Sequence, residues 1–352
     1  METKIIDNLE NLIKSDSLEN IKDDASKIRK HLLGLKPRSS GFLNINSNGD
    51  KIKVEKKYVI SEIDQILETK TLERTKYYIK RLSKGLSEVK TGKINDLNLN
   101  RWKEYEDIIT DSLWVLKKRD KSGAHNAGYW GNFIPQIPHQ FLNRYTKKGE
   151  WILDPFLGSG TTLIECKRLG RNGIGVELLP KVANLAKNNI NRETNSYDVR
   201  SEIIRGDSTE LDFEKELAEF GIKSVQFLIM HPPYWDIIKF SEDKNDLSNA
   251  KTIEDFLNLF GKVVDKTYPI LDKGRYFAVV IGDKYSGGEW IPLGFYSMQE
   301  VLKRGYKLKS IIVKNFEETK GKQNQKELWR YRALVGGFYI FKHEYILLFK
   351  KE

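Results

Sequence analysis

The sequence predicts an α/β protein: a doubly wound, mostly parallel sheet with a C-terminal antiparallel hairpin, preceded by a mainly helical N-terminal region. Three observations lead there. From about Trp151, short apolar runs that end in glycine-rich or polar turns alternate with stretches of helical period, as strand–helix–strand units do. Before residue 120 that alternation is missing, and apolar residues recur at helical spacing instead. At the end of the chain two strand-like runs, YKLKSIIVKNF and GFYIFKHEYILLFKK, flank a basic polar stretch, as in a hairpin at a sheet edge.

Taken in order, Ile5, Ile6, Leu9, Leu12 and Ile13 form one apolar helical stripe, Ile60, Ile63, Ile66 and Leu67 a second, and Ile79, Leu82 and Leu86 a third. Between the first two, LKPRSSGFLNINSNGDK is rich in Gly, Ser and Asn and reads as a loop or short hairpin. Residues 1–120 are therefore expected to be an accessory region and 121–352 the domain that carries the chemistry. In the latter, WILDPFLGSG leads into TTLIECKRLG and NGIGVELLP into KVANLAKNNI, while VQFLIMHPPY and RYFAVVIGDK repeat the plan. A parallel sheet built this way holds ligands at the carboxyl ends of its strands.

The composition narrows the setting. The 352 residues are 39% hydrophobic and 31% charged, enough to bury a real core, and disorder as the overall state is excluded. A single cysteine, Cys166, excludes a disulfide framework and points to the reducing cytoplasm. The start, METKIIDNLENLIKSD, has no signal-peptide pattern and no run approaches a membrane span, so a soluble, cytoplasmic protein is expected. The net charge of +11 divides into +5 for residues 1–120, −2 for 121–300 and +8 for 301–352. A slightly acidic core thus lies between two basic flanks, which suit a polyanion.

Four motifs carry the chemistry. In the first, DPFLGSGTT, a strand ends at Leu153, glycines strip the turn of Cβ atoms, and the helix that follows begins with free N–H groups. It is neither a phosphate-binding loop, for want of Gly-Lys-Ser/Thr, nor a dinucleotide fingerprint. The second, Gly173 to Glu177, is a strand ending in a carboxylate, where an acid accepts hydrogen bonds from both ribose hydroxyls of a nucleotide-type ligand; standing alone, Glu177 reads better as a solvated acid at a strand end. The third, Arg205-Gly206-Asp207-Ser208, offers Asp207 to the amino group of an adenine ring. The fourth, His231-Pro232-Pro233-Tyr234-Trp235, supplies a stiff wall of carbonyl acceptors beside an aromatic pair, or else a structural Pro-Pro corner.

DPFLGSGTT, GIGVE, GDS and HPPY together resemble the S-adenosylmethionine-dependent amino-methyltransferases that modify adenine N6 or cytosine N4 in DNA, over roughly residues 125 to 350. The resemblance implies a Rossmann-like methyltransferase sheet with S-adenosylmethionine as cofactor. It assigns the cofactor to Asp154, Phe156, Gly158, Ser159, Gly160, Thr161, Glu177, Asp207 and Ser208. The stretch Tyr129 to Gln136, with Pro135, resembles the segment that closes over the methionine end of the cofactor. His231, Pro232, Pro233 and Tyr234 correspond to the catalytic tetrapeptide. Here the cofactor turn precedes that tetrapeptide, whereas many members with a DPFxGSGTT-type turn have the reverse order.

The amino nitrogen of such a base is a poor nucleophile because its lone pair is delocalised. Accepting both amino hydrogens, at the Pro232 carbonyl and the side chain at 231, localises that pair, and Tyr234 stacks on the base. The family usually has Asp, Asn or Ser where this chain has His231, and only a neutral imidazole offers an acceptor. Turnover is therefore expected to fall as pH drops through the imidazole pKa, and adenine and cytosine stay equally open. A duplex substrate requires a flipped base. Trp235, Lys320, Lys322, Lys326 and Arg330 are the candidate substrate contacts, with Lys314, Arg332, Trp329 and Tyr331 in the same hairpin loop, unless that loop is merely solvated.

Asp283 reads as a pocket residue or a turn cap, Cys166 as a small buried residue, and His125 and His139 as scattered, so no metal cluster is expected. The helical region has DNA recognition, capping of the catalytic domain or dimerisation as its candidate roles, and a restriction system with a partner endonuclease and the oligomeric state are left open. Two alternatives stand beside the DNA enzyme. Transfer-RNA guanine-N2 methyltransferases share a similar turn and a later PPY in this order, and a non-catalytic nucleic-acid-binding subunit would keep the fold alone.

Overall fold

The computed structural model describes residues 5–35, 41–47, 50–126, 128–315 and 326–352. They divide into two compact units, Met1–Ile108 and Ile109–Glu352. In the first unit the apolar stripes become α1 (Ile5–Lys14), α2 (Leu18–Gly34), α3 (Lys56–Glu68) and α4 (Leu72–Ser87). Ser17 and Thr71 start α2 and α4 by accepting the N–H of Asn20 and Arg74, each of which would otherwise be unpaired. The Gly/Ser/Asn-rich stretch contributes to an antiparallel hairpin, β1 (Phe42–Ser47) with β2 (Asp50–Glu55). Leu9, Leu12, Ile21, Val59, Ile63, Ile66, Ile79 and Leu82 form one buried core, at about 1.5–3 kcal/mol per side chain taken from water.

The second unit is an α/β sandwich on an eight-stranded sheet. Five strands run parallel in the order β6 (Ser201–Arg205), β5 (Asn172–Glu177), β4 (Trp151–Asp154), β7 (Val225–Met230) and β8 (Leu271–Ile281). Period-two alternation sends Leu153, Leu228, Met230, Phe277 and Val279 into one core, with Phe256 and Phe260 of α9 (Ile253–Thr267). Ile152, Phe227, Ile229, Ala278 and Val280 enter the opposite core, with Ile137 and Phe141 of α5 (Gln136–Tyr145). Helices α6 (Thr161–Leu169), α7 (Pro180–Arg192), α8 (Phe213–Glu219) and α10 (Leu293–Lys303) complete the crossovers.

The C-terminal hairpin is present, as β11 (Tyr306–Asn315) antiparallel to β12 (His343–Lys351), but its placement differs from the expectation in three ways. First, β12 is not peripheral: it inserts between β11 and β8, antiparallel to both. Second, β11 is not the sheet edge, because the two-residue strand β3 (Leu113–Trp114) pairs with it in parallel. That strand draws residues from 109 onward into the second unit, ahead of the expected start at 121. Third, the basic stretch expected as a hairpin loop contains a helix, α11 (Lys326–Gly336). A small hairpin, β9 (Lys284–Ser286) with β10 (Glu289–Ile291), precedes α10; beyond α11, Phe338 stacks on its Tyr285 and Phe341 packs at a tilt on its Trp290. Among the described residues no helix is long and apolar enough to cross a membrane.

Sheet order fixes where a ligand can sit. After β4 the chain proceeds outward through β5 and β6; after β7 it proceeds the opposite way through β8. The crossover helices part at the β4/β7 boundary, and a crevice opens at the carboxyl ends of these two strands.

Candidate active site

The turn after β4 and the turn after β7 both open into one cavity of about 500 Å³. From the β4 side come Pro155, Phe156, Leu157 and Gly158; from β5, Glu177; from β6, Asp207 and Ser208. From the β7 side come His231, Pro232, Pro233 and Tyr234. The segment 129–134 covers one side, and Phe240, Asp246 and Leu247 another. Tyr129 stacks on Phe240 at 6.3 Å, and a Cβ on Gly131 would come within 2.8 Å of that same ring, so the two segments meet closely.

The glycine turn is built by hydrogen bonds to the strand beside it. Leu157 N–H donates to the Val176 carbonyl at 2.9 Å and Gly158 N–H to Glu177 Oε2 at 3.0 Å, while Glu177 Oε1 accepts from Leu179 N–H at 2.9 Å. Gly158 and Gly160 have φ of +54° and +94°, a backbone region in which a side chain is strained. Burial pushes the Glu177 carboxyl up to about 7, against the two N–H groups that favour its anion.

Several expected cofactor residues act behind the wall rather than at it. Asp154 is fully buried: it accepts from Thr162 Oγ1 at 2.6 Å and Phe156 N–H at 3.0 Å, lacing the turn to α6. Burial raises its carboxyl to about 6. Ser159 is buried too, donating to Asn132 Oδ1 at 2.5 Å, and thereby ties the turn to the 129–134 segment. Gly160 packs on Ile190, Thr161 is buried at the start of α6, and Pro135 caps α5; none of them lines the cavity. Phe156, Gly158, Glu177, Asp207 and Ser208 do line it, with Ser208 Oγ donating to the Pro155 carbonyl at 2.7 Å.

On the β7 side His231 Nε2 lies 3.1 Å from Tyr234 Oη, and Tyr234 donates to Glu344 Oε2 at 2.7 Å. Burial pulls the imidazole down to about 4 and pushes the Tyr234 hydroxyl well up, the latter reinforced by Glu344. Trp235 does not join the expected aromatic pair. Its φ of +51°, strained for a bulky residue, turns it out of the cavity lining, where its Nε1–H donates to the Ala250 carbonyl and Lys284 caps its ring at 4.0 Å.

The expected substrate contacts in the hairpin divide. Lys314 is no phosphate contact: it is buried, and its Nζ donates to Glu344 Oε1 at 2.8 Å inside the cavity wall. Arg330 and Arg332 are exposed on α11, with Arg332 over the Trp329 ring at 5.3 Å. Lys320 and Lys322 lie outside the described residues, as does the side chain of Lys326. Phe240, Asp246 and Glu344 are cavity residues that motif reading missed. Glu344 had one signal, a charge entering the apolar run of β12, and the strand register sets it directly opposite Lys314.

Asp283 does not line the cavity but accepts from Gly294 N–H and Trp290 Nε1–H, and Cys166 is buried as expected. The histidines scattered in sequence converge in space. Glu165 of α6 accepts from both His125 at 2.6 Å and His139 at 2.8 Å, with Asp120 close by and Arg168 paired to both acids. Contrary to the expectation, Asp120, His125 and Glu165 do place possible ligand atoms within 4.8 Å of one another. With Arg168 among them, they form a latch holding the 119–134 segment to α6.

Sheet order and paired turns thus define a Rossmann-like α/β protein with a ligand site at the switch point of its sheet. A family model described as DNA methylase, of the N6/N4 type, matches residues 14–188 and 225–352, and the chain belongs to that family. Among curated proteins it is similar to the Type II methyltransferase M.MjaII of Methanocaldococcus jannaschii, with 41% identity over 22% of this chain and 16% of that protein. M2.DpnII of Streptococcus pneumoniae, also a Type II methyltransferase, is 38% identical over 27% of this chain and 34% of its own length. A putative ribosomal RNA large subunit methyltransferase of M. jannaschii is 27% identical over 59% of this chain and 48% of that protein. Each match therefore spans less than half of the relative it aligns with.

Proposed function

We propose that this chain transfers a methyl group from S-adenosylmethionine to the exocyclic amino group of a DNA base, adenine N6 or cytosine N4. One observation carries the reading: a ribose-type acid, Glu177, and the His-Pro-Pro-Tyr wall face the same cavity from opposite sides of the switch point. The donor set suits the cofactor. Glu177, Asp207 and Asp246 supply carboxylates to a ligand with ribose hydroxyls, an adenine amino group and net positive charge, while Phe156, Leu157 and Leu179 supply apolar contact. Gly158 leaves the turn without a Cβ at the point where one would reach to within 3.3 Å of the Tyr129 ring. When bound, the cofactor supplies a methyl group made electrophilic by its sulfonium.

The chain's own residues prepare the nucleophile. The Pro232 carbonyl and His231 accept the two amino hydrogens, localising the nitrogen lone pair and orienting it. Tyr234 is a stiff aromatic wall rather than a freely stacking ring, because its hydroxyl is held by Glu344 and its edge by Gly282, where a Cβ would come within 2.8 Å. A duplex substrate must present its base flipped out. Arg330 and Arg332 give phosphate contacts outside the cavity.

A role in a restriction system, with a cognate endonuclease and a cytoplasmic setting, accords with the Type II names of the relatives. The ribosomal RNA relative favours one second reading, an RNA base in the same pocket. Labelled methyl transfer to mixed-sequence DNA, transfer RNA and ribosomal RNA fragments, followed by nucleoside analysis, decides. N6-methyladenine or N4-methylcytosine in DNA is the expected product. A methylated RNA base, or cofactor binding without transfer to any of the three, overturns the DNA reading.

A further inference from the structure

A buried ion pair in the cavity wall is unaccounted for by the chemistry above. Lys314 and Glu344 are directly opposed on β11 and β12, and their side chains are 5% and 6% exposed. Such a pair is costly to desolvate and is often no more stabilising than apolar residues of the same size. Its connections point to a use. Glu344 accepts from Lys314 at one oxygen and from the Tyr234 hydroxyl at the other, and Tyr234 meets His231 Nε2 at 3.1 Å.

Counting hydrogens along this chain fixes the ring. A tyrosine hydroxyl has one hydrogen, and here it is given to Glu344. Only lone pairs of Tyr234 Oη then face His231, so Nε2 must hold the ring's proton and donate it. A neutral imidazole has no second proton, and Nδ1 is left as an acceptor. The Gly131 backbone beside this ring also favours a proton on it. Without Glu344, Tyr234 is free to turn its hydrogen toward Nε2, and the ring proton then passes to Nδ1.

We propose that Glu344, paired with Lys314, is a positioning residue that selects the tautomer of His231 through the Tyr234 hydroxyl. His231 then meets the amino group of the substrate with a bare Nδ1, the role that an acidic or amide side chain fills elsewhere in the family. This inference rests on the methyl-transfer reading for its purpose, but the tautomer belongs to the free protein and is measured without substrate.

The test is ¹⁵N NMR of the imidazole rings in the full chain, with the His231 signals identified by their loss in His231→Asn. Wild type is expected to show protonated Nε2 and unprotonated Nδ1. Removing the pair together, as Lys314→Met with Glu344→Leu, avoids stranding one buried charge and should leave the fold intact. In that variant the two nitrogen signals exchange character, and kcat for DNA methylation falls about 10²-fold with cofactor affinity unchanged. Tyr234→Phe breaks the same link without touching the ion pair, and should shift the ring proton in the same direction. A protonated Nδ1 in wild type, or an unaltered tautomer in either folded variant, overturns the proposal. The expected tautomers without transfer to DNA would leave it standing and overturn the methyl-transfer reading instead.

Discussion

At His231 and Glu177 burial acts on base and acid in opposite senses, and the pH response of the site follows from the signs. His231 is pulled from 6.5 to about 4, so between those values the unfolded chain takes up a proton that the folded one refuses, and acidification costs stability there. Glu177 is pushed from 4.5 to about 7, so across that interval the folded chain takes the proton first, and acidification helps. Replacing Glu177 by Gln leaves one of the two backbone N–H groups without an acceptor at every pH and removes this pH dependence, so the variant's stability relative to wild type should fall by about 1–3 kcal/mol from pH 8 to pH 5; thermal unfolding across that range checks it. The same residue sets the expected acid limb of cofactor binding. Isothermal titration should show affinity for S-adenosylmethionine weakening below about pH 7 in wild type, a limb absent from Glu177→Gln and retained in His231→Asn. Turnover at saturating cofactor should instead hold down to about pH 4, below the ordinary imidazole range, because His231 stays neutral until then. An acid limb in kcat near 6.5 that disappears in both His231→Ser and His231→Asn would show that the ring is far more hydrated than its place in the wall implies.

Between elements, the cofactor turn depends on glycines in the strand next to it. Gly175 of β5 lies opposite Asp154 of β4, and a Cβ there would approach three atoms of the buried Leu157 side chain at 2.6 to 2.8 Å. Leu157 also lines the cavity, so Gly175→Ala should push its side chain toward the cofactor's space, costing about 1–3 kcal/mol by overpacking and weakening cofactor binding. A chemical-denaturation curve beside a cofactor titration measures both; loss of affinity at unchanged stability would contradict this packing account. Thr162→Val tests the other support, since it strands a buried Asp154 oxygen at a cost of about 1–3 kcal/mol. These couplings explain which parts of the site could be read from sequence. Glu177, Gly158 and the His-Pro-Pro-Tyr wall sit at strand ends in consecutive motifs, and period-two alternation with glycine punctuation marks such places locally. Asp154 belongs to the same motif as Gly158, but its carboxylate faces Thr162 rather than the cavity, and a motif does not say which way its carboxylate turns. Glu344 and Lys314 could not be paired in advance: their contact depends on the register of β11 on β12, across an insertion that holds α11. Trp235 was misplaced for a different reason, a left-handed backbone angle that its residue type gives no cause to expect.

Over the whole molecule, charge is separated from chemistry. The cavity wall holds Glu177, Asp207, Asp246 and Glu344 against Lys314, so the pocket itself does not attract a phosphate backbone. The basic excess lies elsewhere, +8 in residues 301–352 alone, and part of it is presented on α11 by the exposed Arg330 and Arg332. Exposed Tyr331, Leu334 and Val335 accompany these arginines, and ring contacts of Phe338 with Tyr285 and of Phe341 with Trp290 anchor the chain just after the helix to the β9–β10 hairpin. The insertion leaves the sheet after Asn315 and returns at His343, next to the Lys314–Glu344 pair in the cavity wall. On duplex DNA, each phosphate that a side chain ceases to neutralise lowers the slope of log affinity against log salt by about 0.9. Arg330→Glu with Arg332→Glu should therefore weaken DNA binding, flatten that slope by about 2 and leave S-adenosylmethionine affinity as in wild type. Fluorescence anisotropy on one labelled duplex at several salt concentrations supplies the slope, and calorimetry supplies the cofactor constant. A slope equal to that of wild type would remove α11 from the DNA path and leave the basic residues of the N-terminal region as the alternative.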